Sequence, residues 1–148
     1  MALEGLIKRF NNVINLDQDA IISNILRDAE FQRFIIDLNT EEQLFEQGID
    51  SLGASLGDYT DFTKTVKSIK GQRIDHITLE DTGEFHKSFA IKVQNGGFLI
   101  TADGQKEDTN LLEEYGKEIL GLTDENLQIV IDAIKEKLIP IILASYMA

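Results

Sequence analysis

Asp81, Thr82 and Gly83 form the shortest string in this sequence with the residue types of a catalytic centre. Two carboxylates in such strings, brought together from paired subunits, can share a proton and activate water for peptide hydrolysis. Ile119-Leu120-Gly121 fits the apolar-apolar-Gly run that accompanies that chemistry later in a chain. The flanks do not fit. Glu80 stands where an apolar strand should lead in, and Glu84-Phe85 stand where small residues should follow. The same three residues also make a good turn, with Asp81 and Thr82 bonding to backbone and Gly83 allowing the bend. That structural role is the one expected, and no residue is expected to be catalytic.

His76 and His86 are the only histidines. Asp75, Glu80, Asp81 and Glu84 lie near them, but no His-x-x-x-His spacing marks a metal site. An exposed strand histidine and an exposed helix histidine are the simpler expectation. Ser88 has no nucleophile elbow around it. Asp103-Gly104-Gln105-Lys106-Glu107-Asp108 lacks the alternating ligands and distal Glu of a calcium loop, and reads as a solvated connection. No glycine-rich phosphate loop is present, and there is no cysteine for a thiolate site or a disulfide. The expectation is therefore no metal and no cofactor.

Charge gives one further candidate. The chain of 148 residues carries 26 Asp and Glu against 14 Lys and Arg, a net charge of −12. An acidic surface repels nucleic acid, so no specific nucleic-acid binding is expected. Against this background Lys64, Lys67, Lys70 and Arg73 cluster within ten residues. At helical spacing the three lysines share a stripe, a candidate contact for an acidic neighbour. The alternative is a solvated helix face.

The elements that would position these residues are helices around a small sheet. The length suits one domain, 1–148, and no apolar run approaches the roughly 20 residues a membrane span needs. The start, MALEGLIKRF, has the pattern of an amphipathic helix rather than a signal peptide, so a cytosolic product is expected. Leu3, Leu6, Ile7, Phe10, Val13 and Ile14 lie on one helical face. Asn15 or Asp17 is placed to cap a second helix from about Asp19 to at least Leu38. Its two apolar stripes require either cover on two sides or a bend near Ala29. Thr40-Glu41-Glu42-Gln43 matches a capping box. It either starts a short helix ending at Gly48 or is absorbed in one long helix.

Gly48 to Asp61 reads as a loop anchored by Leu52, Leu56 and Tyr59. A helix is predicted over Asp61–Lys70, closed by Gly71. A short strand is predicted over Ile74–Leu79. A β-hairpin follows near 89–102, turning at Asn95-Gly96-Gly97. One helix is predicted from Asp108 or Thr109 to Gly121. A last helix, capped by Thr123, buries Leu127, Val130, Ile131, Ile134, Leu138, Ile141 and Ile142, and Pro140 should kink it or end its regular part. The class is α+β: N-terminal amphipathic helices, a small antiparallel sheet and two C-terminal helices.

A longer order of residues resembles a known family. Gly53, Gly57 and Tyr59 are followed by Thr63 and Lys67, then Leu79-Glu80-Asp81-Thr82-Gly83, then Phe85-His86-Lys87-Ser88-Phe89. Leu120-Gly121-Leu122-Thr123-Asp124-Glu125 then opens the last helix. Across residues 20–135 this resembles the tailed-bacteriophage virion morphogenesis, or tail-completion, family and its head–tail joining relatives. The chain departs from that family in lacking a loop Trp, in its acidity, and in carrying Phe85 where Leu is usual. The resemblance implies a structural neck or tail-end protein. It would work by protein–protein contacts, as a homo-oligomeric ring between tail tube and head connector. It would assemble in the host cytoplasm and remain in the virion. An acidic ring would also repel DNA passing through it. Two other readings stand beside this one: a small acidic adaptor or inhibitor unrelated to phage, and an aspartic peptidase using Asp81.

Overall fold

The computed structural model describes residues 3–148, so Met1 and Ala2 of the amphipathic start lie outside the described residues. Helix α1 (Leu3–Ile14) turns into α2 (Gln18–Arg27). Asp17, not Asn15, caps α2, its Oδ1 accepting from the Ala20 N–H at 3.1 Å. Helix α3 (Ala29–Asp37) begins after Asp28, whose backbone is extended and whose carboxylate accepts from the Phe31 N–H at 2.9 Å. The long helix predicted from Asp19 to Leu38 is therefore two. The bend falls beside Ala29 because an aspartate there satisfies a free amide of the new helix. It brings Ile25 and Leu26 into one core cluster with Phe31, Ile35, Leu38 and Val130.

Helix α3 continues directly into a π-helical segment (Leu38–Gln47), which Gly48 closes in the left-handed conformation. A Cβ at Gly48 would collide with the His76 ring, so glycine is required there on two counts. The Thr40–Gln43 box is absorbed and caps nothing. Thr40 Oγ1 donates back to the Ile36 carbonyl at 3.0 Å.

The loop after Gly48 is as expected, with Leu56 and Tyr59 packed on the second core cluster. Leu52 does not anchor it. Asp50 Oδ1 accepts from the N–H groups of both Leu52 and Ala54, which places Leu52 at an exposed turn tip. Helix α4 (Asp61–Ile69) is capped by Thr60 and followed by Gly71 with φ +74°.

The predicted strand over Ile74–Leu79 does not form. The Ile77 N–H donates to the Gly57 carbonyl, the Thr78 N–H to the Tyr59 hydroxyl, and Leu79 has φ +58°. Loop atoms have taken the donors that a ladder would need. A single turn, α5 (Glu84–Lys87), follows.

The predicted hairpin is present. Strand β1 (Ala90–Gln94) pairs antiparallel with β2 (Gly97–Thr101), placing Ile91 opposite Ile100 and Val93 opposite Phe98. Asn95 and Gly96 both take positive φ, the geometry of a two-residue hairpin turn. The Gly96 N–H donates to Ser23 Oγ at 3.0 Å, tying the hairpin tip to α2.

The helix predicted to run to Gly121 is broken into smaller pieces. Strands β3 (Gln105–Lys106) and β4 (Thr109–Asn110) form a minimal second hairpin. Asn110 then caps α6 (Leu111–Tyr115), and Gly116 separates it from a 3-10 turn (Lys117–Ile119). Helix α7 (Asp124–Met147) is capped by Thr123 as predicted and runs through Pro140 without ending. Its predicted buried stripe is buried only in part, with Ile134 and Leu138 half-buried against the cluster that holds Val130. Of those seven residues only Val130 falls in the fully buried core, while Leu127, Ile131, Ile141 and Ile142 are exposed. The α+β class stands, with helices dominating two small antiparallel sheets.

Candidate functional site

Asp81 is an ion-pair hub. Its carboxylate accepts from Lys106 Nζ at 3.0 Å and from Lys70 Nζ at 3.2 Å. These two bonds, Lys106 first, hold its pKa down to about 2. A proton-sharing carboxylate must be protonatable, and this one is committed to two ammonium groups instead. Gln72 Nε2 donates to the Asp81 carbonyl, Thr82 Oγ1 accepts from the Glu84 N–H, and Gly83 with φ +85° leads into α5. The three residues thus lie at a bend stitched by side-chain bonds.

The four clustered cations do not share one environment. Lys67 turns inward and is the only buried residue of α4. Its ammonium donates to the Glu80 carbonyl at 2.8 Å, more weakly to Gln72 Oε1 at 3.5 Å, and lies 4.8 Å from the Tyr59 ring centre. Lys70 reaches Asp81. Arg73, beyond the helix, is spread over Asp75 (2.6 Å) and Glu46 (3.1 Å), and these hydrogen bonds raise its pKa. Lys64 takes part in no ion pair among the described residues. The stripe predicted from spacing is thus one inward lysine and one free lysine, with two cations already neutralised within the chain.

Neither histidine is an exposed strand or helix residue. The His76 side chain, 16% exposed, lies in the irregular segment and donates from Nε2 to the Phe45 carbonyl at 2.6 Å. It satisfies one carbonyl of the π-helical segment. The His86 side chain is 7% exposed and donates from Nε2 to the Thr78 carbonyl at 3.0 Å. Burial pushes its pKa below 6.5, against the opposing pull of the Thr78 bond and of Glu80. Its Nδ1 has no hydrogen-bond partner, and Glu80 lies 3.8 Å away. Among the described residues no group of three or more His, Asp or Glu could hold a metal ion. No described helix is long and apolar enough to cross a membrane.

Asn39, which has no role in the sequence reading, and Gln43, read there only as part of a capping box, prove central. Asn39 and Gln43, both fully buried, face the segment before α7 from one side of the π-helical segment. Asn39 Nδ2 donates to the Ile119 carbonyl at 3.0 Å, and its Oδ1 accepts from the Gly121 N–H at 2.7 Å. Gln43 Nε2 donates to the Gly121 carbonyl at 2.9 Å, and its Oε1 accepts from the Thr123 N–H at 2.9 Å. Two amides four residues apart therefore complete the backbone between the 3-10 turn and α7. The available signal was this pair of amides set between Leu38 and Leu44.

The terminal helices offer the other candidate surface. Helix α1 has no buried residue, and Leu3, Ile7, Phe10 and Ile14 are all exposed. It meets the end of α7 through the Phe10–Tyr146 ring pair at 5.8 Å and the Ser145 Oγ bond to the Asn12 carbonyl at 3.0 Å. There Ile139 and Leu143 are each 56% exposed and Met147 is 63% exposed. Large apolar side chains grouped at a surface mark an interaction site. Comparisons with protein-family models, with curated proteins and with solved structures find no match.

Proposed function

We propose that this chain is a non-enzymatic, single-domain structural protein of the neck or tail end of a tailed-phage particle. It completes the tail or joins it to the head by protein–protein contacts. It assembles in the host cytoplasm, as a ring beside the tail tube and head connector, and stays in the virion. The observation that carries this reading is the exposed apolar set on α1 and α7. Each buried apolar side chain contributes about 1.5–3 kcal/mol, so covering several of them is a strong drive to associate. The order of motifs from Gly53 to Glu125 supplies the phage setting.

The net charge of −12 favours a second reading, a small acidic adaptor or inhibitor that uses the same apolar helices on a different partner. The test is peptide mass spectrometry on purified, infectious particles of the source, with this chain quantified against the major tail or capsid protein. A low, fixed copy number is the expected result. Absence from those particles would overturn the virion reading and leave the adaptor.

A further inference from the structure

We infer that the cleft between α4 and the Ile77–Asp81 segment binds a singly charged carboxylate carried on a flat apolar body. The cleft has a volume of about 340 Å³, at the small end of ligand sites, which run from roughly 300 Å³ upward. Its shape follows from how α4 is held. Phe62, Val66 and Lys70 repeat at four-residue spacing and line it from the helix. The helix is tied to the body at its far end by Lys67, Lys70 and Gln72, which reach the backbone of Glu80 and both ends of Asp81. These tethers take the place of close apolar packing, since the one buried residue of α4 is a lysine. The gap stays open beside them.

The walls fix the ligand's body. Tyr59, Phe62 and Tyr115 give aromatic faces, with Ile77 and Leu111 beside them. Charge fixes its head. Three lysines line the cleft (Lys67, Lys70, Lys106) against two acids (Glu80, Asp81), an excess of one positive charge in a chain of net charge −12. Lys67 supplies the excess. No carboxylate lies within 4.0 Å of its ammonium among the described residues, and all its partners are neutral. A buried charge held only by neutral groups gains most from a counter-ion. A phosphate dianion would overshoot this excess, and the lining has no arginine fork to hold it. A monocarboxylate matches it.

The inference is independent of the assembly reading, because the cleft lies on residues that α1 and α7 do not contribute. The experiment is a titration of the ¹⁵N-labelled full chain, followed by amide chemical shifts, with phenylacetate, phenylacetamide and N-acetylphenylalanine as probes. Phenylacetate is expected to shift residues 59–67, 77–81 and 106–115 saturably. Its neutral amide should bind about tenfold more weakly or less, the scale of a lost charged hydrogen bond. Lys67→Met should cost phenylacetate a similar factor. Lys70→Gln, a half-exposed position where glutamine can still reach Asp81, should cost about threefold, the scale of a partly screened charge, with the unshifted amides of the rest of the chain reporting that the fold is kept. Binding of phenylacetate would identify a free acid as sufficient. Binding of N-acetylphenylalanine alone would identify the carboxylate as a polypeptide's end. Failure of both acids to bind, equal binding of the amide, or shifts confined to other residues would each overturn the site, whatever the particle measurements give.

Discussion

The seam between the π-helical segment and the residues before α7 contrasts with the surface of α1 and the end of α7. At the seam Asn39 and Gln43 are fully buried, and each uses both its donor and its acceptor on backbone atoms of residues 119–123. Everything polar there is closed within the chain. At the terminal helices the composition is more apolar, yet Leu3, Phe10, Ile139 and Leu143 are left in solvent. Polarity alone would place these two regions the other way round. The difference shows what decides burial. A buried amide is tolerable when its bonds are satisfied, whereas an apolar face stays exposed when no other element of the same chain reaches it. The first region holds the fold, and the second is available to a partner.

Breaking the seam should have the largest effect on the isolated chain. Gln43→Leu keeps volume but strands the Gly121 carbonyl and the Thr123 N–H, at roughly 1–3 kcal/mol for each unsatisfied group. Chemical denaturation should show a loss of about 2–4 kcal/mol. A loss under ~0.5 kcal/mol would mean that water replaces the amide and that the seam is not what holds α7 in place. The Asp81 hub should matter less. Its lysine partners are about half exposed, so Asp81→Asn should cost only about 1 kcal/mol, again read by denaturation.

The acid profile tests two further groups whose bonds close within the chain, His86 and Asp81, both outside the seam. His86 has a folded pKa below 6.5, so the unfolded chain takes up its proton more readily. Its contribution is fully present above pH 6.5 and is lost as pH falls from there through the folded value. Asp81 adds a second loss as pH falls from 3.8 to about 2. Thermal melts across pH 7 to 2 should show both declines. His86→Gln should remove the first, and Asp81→Asn should remove the second.

Much of this architecture was legible from residue spacing. The Asp17 and Thr123 caps, the Asn95-Gly96 hairpin and the Gly48 and Gly71 stops all follow from local chemistry that needs no tertiary partner. The errors share the opposite character. Ile74–Leu79 has a strand's residues, but its amides are claimed by Gly57 and Tyr59, which lie 20 and 19 residues earlier. Gln43 fits a local capping box and instead reaches Thr123, 80 residues on. The last helix has the right residues for a buried stripe, but of these only Val130, Ile134 and Leu138 meet the core of α2 and α3. Of the candidate site residues, Thr82 and Gly83 play the turn roles read for them, whereas Asp81, expected to bond to backbone, gives its carboxylate to Lys106 and Lys70. The cleft around Lys67 was not readable, because spacing alone cannot tell an inward lysine from an outward one.

The smallest effect on stability should come from the terminal helices, where Ile139→Ser with Leu143→Ser removes only exposed side chains. The change in unfolding free energy should stay within about 1 kcal/mol for the pair. That quiet monomer makes the double variant the most direct test of the central claim. It would be expressed beside the unmodified chain in cells producing the particle, and the incorporation of each into purified particles measured by peptide mass spectrometry. If α1 and α7 carry the assembly contact, the variant should be depleted at least about tenfold, as the loss of two buried apolar contacts implies. Equal incorporation of the two chains would contradict the account.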